Sequence, residues 1–280
     1  MTPDPALFSV ILPANNEAGH IRACLSALLA QDAAAGPVQA IVAANACTDG
    51  TEDIVQAMVP DFAARGWDLT CLSIAAPGKT NALNRAEAAA AGALRAYLDA
   101  DVVCDTGLFG QLRAALAADR PLYATGTLAI APAASRFTRA YARFWAGLPF
   151  VQGGAVGAGL FAVNAAGRAR WGAFPDIISD DTFVRLHFAP AERIEVPARY
   201  HWPMVEGFSR LVRVRRRQDA GVDELRARMP GLMENEAKAP LTAGRLLRLA
   251  GRHPAGFAAY MAVHLAVRTR PQEPGWSRGR

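Results

Sequence analysis

The sequence predicts an α/β fold in which a mostly parallel sheet is flanked by helices. Four short apolar runs, at 8–12, 38–44, 69–74 and 94–99, alternate with segments that have helical spacing of apolar residues. Such runs are typical of buried parallel strands, because helices cover both faces of a parallel sheet. A polar loop follows each run, and parallel sheets bind ligands at the carboxyl ends of their strands. We therefore expect a ligand site along these loops.

The second half of the chain is less regular. The predicted elements are a strand at 121–130, an aromatic-rich helix at 136–148, a strand entering a short helix from 157, a helix from 179, a strand at 193–198 and helices beyond 206.

Composition limits the kinds of protein and partner that this sequence can represent. With 280 residues and 52% hydrophobic residues, the chain can bury a substantial core, and its net charge of +5 suits an anionic ligand or a membrane surface. The first residues show no signal peptide, and no apolar stretch approaches the roughly 20 residues of a membrane span. The four cysteines lack metal-ligand spacing, which favours reduced thiols in a cytoplasmic protein over disulfides.

Two carboxylates, Asp99 and Asp101, follow the fourth apolar run in YLDADVVCD. In an extended strand, residues i and i+2 point to the same side, so both carboxylates can reach one point. Without a basic neighbour they repel each other unless a cation lies between them, and oxygen ligands favour Mg²⁺ or Mn²⁺. The alternative is a solvated turn or a helix cap.

Four loop motifs occur in a fixed order, each after a predicted strand: VILPANNE, NACTDGT, GKTNALNRA and YLDADV. This ordered set resembles the nucleotide-sugar-binding half of the family 2 glycosyltransferases, over residues 8–221. The resemblance implies the GT-A fold, which has a Rossmann-like, mostly parallel sheet flanked by helices. It also implies a nucleoside-diphosphate sugar as donor.

The resemblance implies a set of donor-binding and metal-binding residues. For the nucleotide sugar these are Pro13, Asn15, Glu17, Asn45, Asp49, Lys79, Asp99 and Arg217. Asp101 would ligate Mn²⁺ or Mg²⁺, with Asp99 and His201 as further candidate ligands. Asn45 replaces an acid that reads the base in the family, so the base stays open. The alternatives are a plain turn for Asp49 and a packed loop residue for His201.

The segment IISDDTFVRLHF resembles the family's Glu-Asp motif at the start of a helix. By this resemblance Asp181 is the general base, and Asp180 occupies the glutamate position. The alternative is structural, because Ser179 is a good N-cap and acids in a first turn favour the helix dipole.

The segment RLVRVRRRQDAG resembles the Gln-x-x-Arg-Trp motif of processive family members. Arg217 matches the arginine, whereas Gln218 stands where those enzymes have tryptophan, which argues for transfer of a single sugar. The alternative is a solvated basic helix face.

Together these features and the resemblance imply a metal-dependent transfer to an acceptor hydroxyl, and the inverting outcome comes from the resemblance alone. The sequence does not identify the acceptor, for which a lipid-linked or cell-envelope glycan is one candidate. The implied segments are 1–105 for the nucleotide sugar, 106–221 for the acceptor and catalysis, and 222–280 as a C-terminal helical extension. Two rivals are a non-catalytic relative that binds a nucleotide or a membrane, and a nucleic-acid binder. The second is disfavoured because no aromatic residues interleave the arginine run.

Residues 241–268 combine leucines with arginines. Basic amphipathic helices of this kind can lie on an anionic bilayer, which would place the protein on the inner face of the membrane. The alternative is packing on the protein's own domain or on a second subunit.

Overall fold

The computed structural model describes residues 3–269, which form one eight-stranded sheet with helices on both faces. The strands are β1 (Asp4–Ala14), β2 (Val38–Asn45), β3 (Asp68–Ile74), β4 (Gly92–Leu98), β5 (Val103–Cys104), β6 (Tyr123–Ile130), β7 (Leu160–Val163) and β8 (Arg193–Trp202). The α-helices are α1 (Ile21–Leu29), α2 (Thr51–Ala64), α3 (Lys79–Ala89), α4 (Leu108–Ala115), α5 (Arg136–Ala146), α6 (Ala165–Arg168), α7 (Asp180–Leu186), α8 (Phe208–Arg228), α9 (Ala243–Arg252) and α10 (Pro254–Thr269).

The strand order is β3-β2-β1-β4-β7-β6-β8-β5. The first four strands of this order are parallel, β7 is antiparallel to both β4 and β6, and β8 returns parallel to β6. The mostly parallel sheet is therefore confirmed, and each predicted strand is present. The polar loops after β1, β2 and β4 lie at one edge of the sheet, because these strands run in the same direction.

The core is split by the sheet into two layers. Val10 and Leu12 of β1 pack with α1 and α2, whereas Ile11 packs with Leu83 of α3 on the opposite face. Successive side chains of a strand point to opposite faces, and both faces are covered here. This explains why β1 is a continuous apolar run without polar alternation.

A third apolar cluster lies under the C-terminal helices. Phe144 of α5 packs against Phe257 and Tyr260 of α10, with ring centroids 5.6 and 5.0 Å apart. Gly256 allows this close approach, because a Cβ there would lie 2.6 Å from the carbonyl oxygen of Ala140. For α10, the alternative of packing on its own domain is therefore confirmed. No helix within residues 3–269 is long and apolar enough to cross a membrane.

All four cysteines are free. Cys24 and Cys104 are buried, and Cys47 and Cys71 are half-buried. The prediction of thiols in place of disulfides is confirmed.

Candidate functional site

A cleft of about 350 Å³ lies at the carboxyl ends of β1, β2 and β4. It is lined by eight residues that the sequence predicted, namely Pro13, Asn15, Glu17, Asn45, Lys79, Asp99, Asp101 and Arg217. The opposite wall comes from α5, from the residues that follow β8, and from α8.

The loop after β1 is held by side chains that bond to the loop after β2. Asn15 donates to the carbonyl oxygens of Asn45 and Ala46, at 2.6 and 3.3 Å. Asn16 adopts a left-handed backbone, with φ of 56°, and accepts from the Thr48 amide at 2.7 Å. Asparagine tolerates this conformation better than most residues. The two loops thus form one rigid rim of the cleft.

Asn45 is buried and joins three segments. Its side-chain nitrogen donates to the carbonyl oxygen of Ala14 at 3.1 Å, and its side-chain oxygen accepts from the Gly78 amide at 3.1 Å. The side chain therefore ties β1, β2 and the loop before α3 together, and it also lines the cleft.

Asp49 does not line the cleft. Its carboxylate accepts hydrogen bonds from the amides of Ala18 and Thr51 and from the Thr51 hydroxyl. These contacts fix the turn that starts α2. Asp49 therefore lies in the plain turn that was the alternative to a donor-binding role.

Lys79 is the first residue of α3 and bridges two carboxylates. Its Nζ lies 3.0 Å from Oδ1 of Asp99 and 3.1 Å from Oδ2 of Asp180. The premise that the Asp99–Asp101 pair lacks a basic neighbour is therefore wrong. The neighbour comes from another βα unit, so it is not visible in the local sequence.

The charges around Asp180 and Lys79 shift the pKa values of both side chains. Burial raises the pKa of Asp180 to about 6; the Lys79 ammonium opposes that rise, and Asp181 and Asp99 add to it. Burial alone would lower the pKa of Lys79, but the nearby carboxylates outweigh it and raise the pKa. Lys79 thus stays charged at neutral pH and bridges the carboxylates of Asp99 and Asp180.

Asp180 and Asp181 begin α7 and line a small cavity that shares Pro13, Lys79 and Asp99 with the cleft. Asp180 is buried, whereas Asp181 is half-buried. Ser179 is the N-cap residue of α7, as predicted, and its carbonyl oxygen accepts from the Phe183 amide at 3.0 Å, but its side chain makes no capping hydrogen bond. Its hydroxyl is directed at α8 instead, since a Cβ at Gly221 would lie 2.2 Å from it.

The sequence model of glycosyl transferase family 2 matches residues 9–168, more than half of the chain. The chain belongs to glycosyl transferase family 2. The matched range includes the loops after β1, β2 and β4 that form the polar side of the cleft. No curated protein sequence matches this glycosyltransferase significantly.

Solved structures share the fold of the glycosyltransferase. Mannosyltransferase PcManGT from Pyrobaculum calidifontis, in complex with GDP-Man and Mn²⁺, is 21% identical with a TM-score of 0.56, over 98% of this chain and 79% of that chain. S. aureus TarS 1-349 in complex with UDP-GlcNAc is 18% identical with a TM-score of 0.52, over 93% and 81% of the two chains. These similarities confirm the GT-A fold.

The arginine run of the glycosyltransferase is divided among different environments. Arg217 and Arg215 line the cleft, and Arg215 lies 3.2 Å from Asp219. Arg216 donates to the carbonyl oxygen of Ala266 at 2.6 Å and so binds the end of α10. Arg213 is exposed. Of these side chains, only Arg217 and Arg215 face the predicted ligand site.

His201 lies outside the set of cleft residues. Its Nε2 is 3.0 Å from Oδ1 of Asp105, and both side chains are substantially exposed. Because its imidazole is engaged there and does not line the cleft, we do not include His201 in the proposed metal site.

The apolar wall of the cleft was missed by the sequence reasoning. It consists of Tyr141, Trp145, Trp202, Pro203, Met204, Val205, Leu211 and Val214. The rings of Trp145 and Trp202 stack with centroids 6.0 Å apart. Their sequence signal is an aromatic helix face followed by a Trp-Pro pair, which by itself indicates ordinary core.

Proposed function

We propose that this glycosyltransferase moves a single sugar from a nucleoside-diphosphate sugar to an acceptor hydroxyl. The observation that carries the proposal is the cleft at the carboxyl ends of β1, β2 and β4, which Asp99, Asp101 and Arg217 line together. Complexes of PcManGT with GDP-Man and of TarS with UDP-GlcNAc support a nucleotide-sugar donor for this fold.

In this proposal Asp181 is the general base that takes the proton from the acceptor hydroxyl. It is half-buried and lines, with Lys79 and Asp99, the small cavity that shares residues with the cleft. Asp180 is buried and held by Lys79, so its carboxylate serves to position the group. A single base that assists attack opposite the leaving group gives inversion at the anomeric carbon.

Arg217 is the proposed partner of the donor's diphosphate. No hydrogen bond or ion pair to another residue occupies its guanidinium within residues 3–269, unlike Arg215 and Arg216. A guanidinium can contact two phosphate oxygens at once, which gives both affinity and orientation.

The donor set fits a hard divalent cation that also uses the substrate's own oxygens. Within residues 3–269 no group of three His, Cys, Asp or Glu side chains could hold a metal alone. Mg²⁺ usually binds one or two carboxylates and completes its shell with phosphates and water. Asp101 would hold such an ion, with Asp99 as second ligand, although Lys79 already neutralises part of the charge on Asp99. When bound, Mn²⁺ or Mg²⁺ would neutralise charge on the leaving diphosphate.

The acceptor is assigned to the apolar wall opposite the carboxylates. Trp145 and Trp202 present ring surface to the cleft, which suits a sugar ring or an apolar aglycone. Gln218 lines the same cleft at the position of the processive enzymes' tryptophan, which supports transfer of one sugar at a time.

The test is release of nucleoside diphosphate from a panel of nucleotide sugars, with Mn²⁺ or Mg²⁺, read beside a thermal-shift screen of the same compounds. We expect one donor to raise the melting temperature and to be hydrolysed slowly without acceptor. Asp181→Asn should abolish hydrolysis, and Asp176→Asn, which changes an exposed carboxylate outside the cleft, should not. Stabilisation without turnover in any condition would instead favour the non-catalytic relative.

A further inference from the structure

We propose that α9, together with the residues just before it, docks on an anionic lipid surface. The inference rests on the charge, exposure and packing of the C-terminal helices and does not depend on the proposed transfer reaction.

The C-terminal segment carries an unusual excess of positive charge. Between Ala237 and Thr269 the basic residues are Lys238, Arg245, Arg248, Arg252 and Arg268, and no acidic residue occurs. Residues 1–236, in contrast, contain slightly more acidic than basic residues. The segment therefore forms a positive pole on a body that is close to neutral, which attracts anionic surfaces over about a Debye length.

The two sides of α9 differ in what they contact. Leu246 and Leu249 pack against the apolar cluster under α5, where Leu249 lies against Gly147. Leu247 points away from that cluster and is 71% exposed, and Leu241, just before the helix, is 39% exposed. Arg245, Arg248 and Arg252 are spaced at i, i+3 and i+7, so they share one side of the helix.

One exposed leucine is common on protein surfaces. Here, however, the exposed leucines lie on the same short helix and its lead-in as three arginines that have no ion-pair partner within the described chain. The arginines occupy one flank of α9 and Leu247 points to another side, so a helix lying on a bilayer can insert the leucine at the acyl-chain boundary while the arginines reach the headgroups. Arginine aliphatic stems can also lie along that boundary with the guanidinium at the phosphates.

The arginines and exposed leucines of this surface argue against a second copy of the chain or a nucleic acid as its partner. A second copy would present the same arginines, so two α9 faces would repel each other. A nucleic acid would pair with the arginines but would leave Leu247 and Leu241 without an apolar contact. An anionic lipid surface offers phosphates to the arginines and acyl chains to the leucines.

The helix is also firmly attached to the enzyme. It is followed at once by α10, which packs on α5 and whose end is bound by Arg216 of α8. Docking through α9 would therefore orient the whole catalytic domain on the surface.

The test is co-sedimentation of the full chain with vesicles of phosphatidylcholine alone, or with half of the lipid replaced by phosphatidylglycerol. We expect binding to the anionic vesicles only, weakened by added salt. Leu247→Ser should weaken it about tenfold, because a buried leucine side chain contributes roughly that much. The triple variant Arg245→Gln, Arg248→Gln, Arg252→Gln should weaken it about a hundredfold, at about fivefold for each arginine.

Matched controls isolate the helix from general charge. The triple variant Arg22→Gln, Arg85→Gln, Arg120→Gln removes the same charge from exposed sites elsewhere, and Val103→Thr alters an exposed apolar residue on the sheet. Both should bind vesicles like the wild type. Absence of binding to anionic vesicles, equal loss in the control triple variant, or a dimer in light scattering that Leu247→Ser abolishes would each overturn the proposal.

Discussion

The ammonium of Lys79 lies 3.0 Å from the carboxylate of Asp99, although the two residues belong to different βα units. Lys79 begins α3, and Asp99 follows β4. The same ammonium reaches Asp180 at the start of α7, so one cation joins α3, the end of β4 and the start of α7. The first prediction follows from this bridge.

Lys79→Met should leave two carboxylates without their cation and lower the free energy of unfolding by about 1–2 kcal/mol. Loss of one partner of a fully buried pair costs about 3–5 kcal/mol, but the Lys79 side chain is 38% exposed and partly screened. Urea unfolding measures this change in the free energy of unfolding. The double variant Lys79→Met, Asp180→Asn should lose less than the sum of the single variants, and strict additivity would contradict the bridge.

Asp181→Asn should reduce turnover by about 10²–10⁴ while donor affinity and melting temperature stay near wild type. The amide has the same shape but cannot accept the proton. Turnover, calorimetric donor affinity and thermal unfolding are measured together. If folded Asp181→Asn retains substantial transfer, the base assignment fails and Asp180 becomes the candidate.

Asp101→Asn should lose both turnover and the metal-dependent part of donor affinity, because this carboxylate would hold the ion that neutralises charge on the diphosphate. EDTA should have the same effect on the wild type, and the variant should no longer respond to EDTA. Isothermal calorimetry with and without Mn²⁺ measures both. Equal affinity in the two conditions would rule out the metal role.

Arg217→Ala should weaken donor binding about tenfold or more, since a charge-assisted hydrogen bond contributes roughly 1.5–3 kcal/mol. Arg213→Ala is the matched control, because that side chain is exposed and outside the cleft. If the control variant loses as much affinity as Arg217→Ala, the loss comes from the overall positive charge of the arginine run and not from a specific contact of Arg217 with the donor.

Glu236→Gln should lower stability at neutral pH by roughly 2–3 kcal/mol, with a difference that fades in acid. Burial by itself would raise the pKa of Glu236, but the hydrogen bonds and charge of Arg185, with smaller contributions from Lys238, lower it to about 2. The folded pKa thus lies below that of the unfolded chain, about 4.3. Stabilisation by the ionised group is present above that value and is lost as the pH falls toward 2.

Chemical unfolding at several pH values measures this difference. Glu234→Gln is the control, because Glu234 is exposed in the same segment. A stability difference for Glu236→Gln that stays constant down to low pH would contradict the assignment to Arg185.

Much of the polar side of the cleft could be predicted from sequence, because its residues follow strands whose apolar runs are visible locally. Pro13, Asn45 and Asp101 each stand just after such a run, and parallel strands bring their carboxyl ends to one edge. Asp49 and His201 have equally suggestive positions, but their side chains bond to Thr51 and Asp105 outside the cleft. Local position does not determine which way a loop side chain turns.

The sequence by itself determined β1 to β4, their parallel direction and the loops that carry Asp99 and Asp101, since continuous apolar runs and helical spacing are visible in consecutive residues. Only the tertiary structure decided which distant groups meet. It brought Lys79 between Asp99 and Asp180, turned Arg217 to the cleft but Arg216 to the end of α10, and left Leu247 exposed. Each of these depends on how a helix is rotated and docked against the sheet, and that is set by packing between residues far apart in the chain.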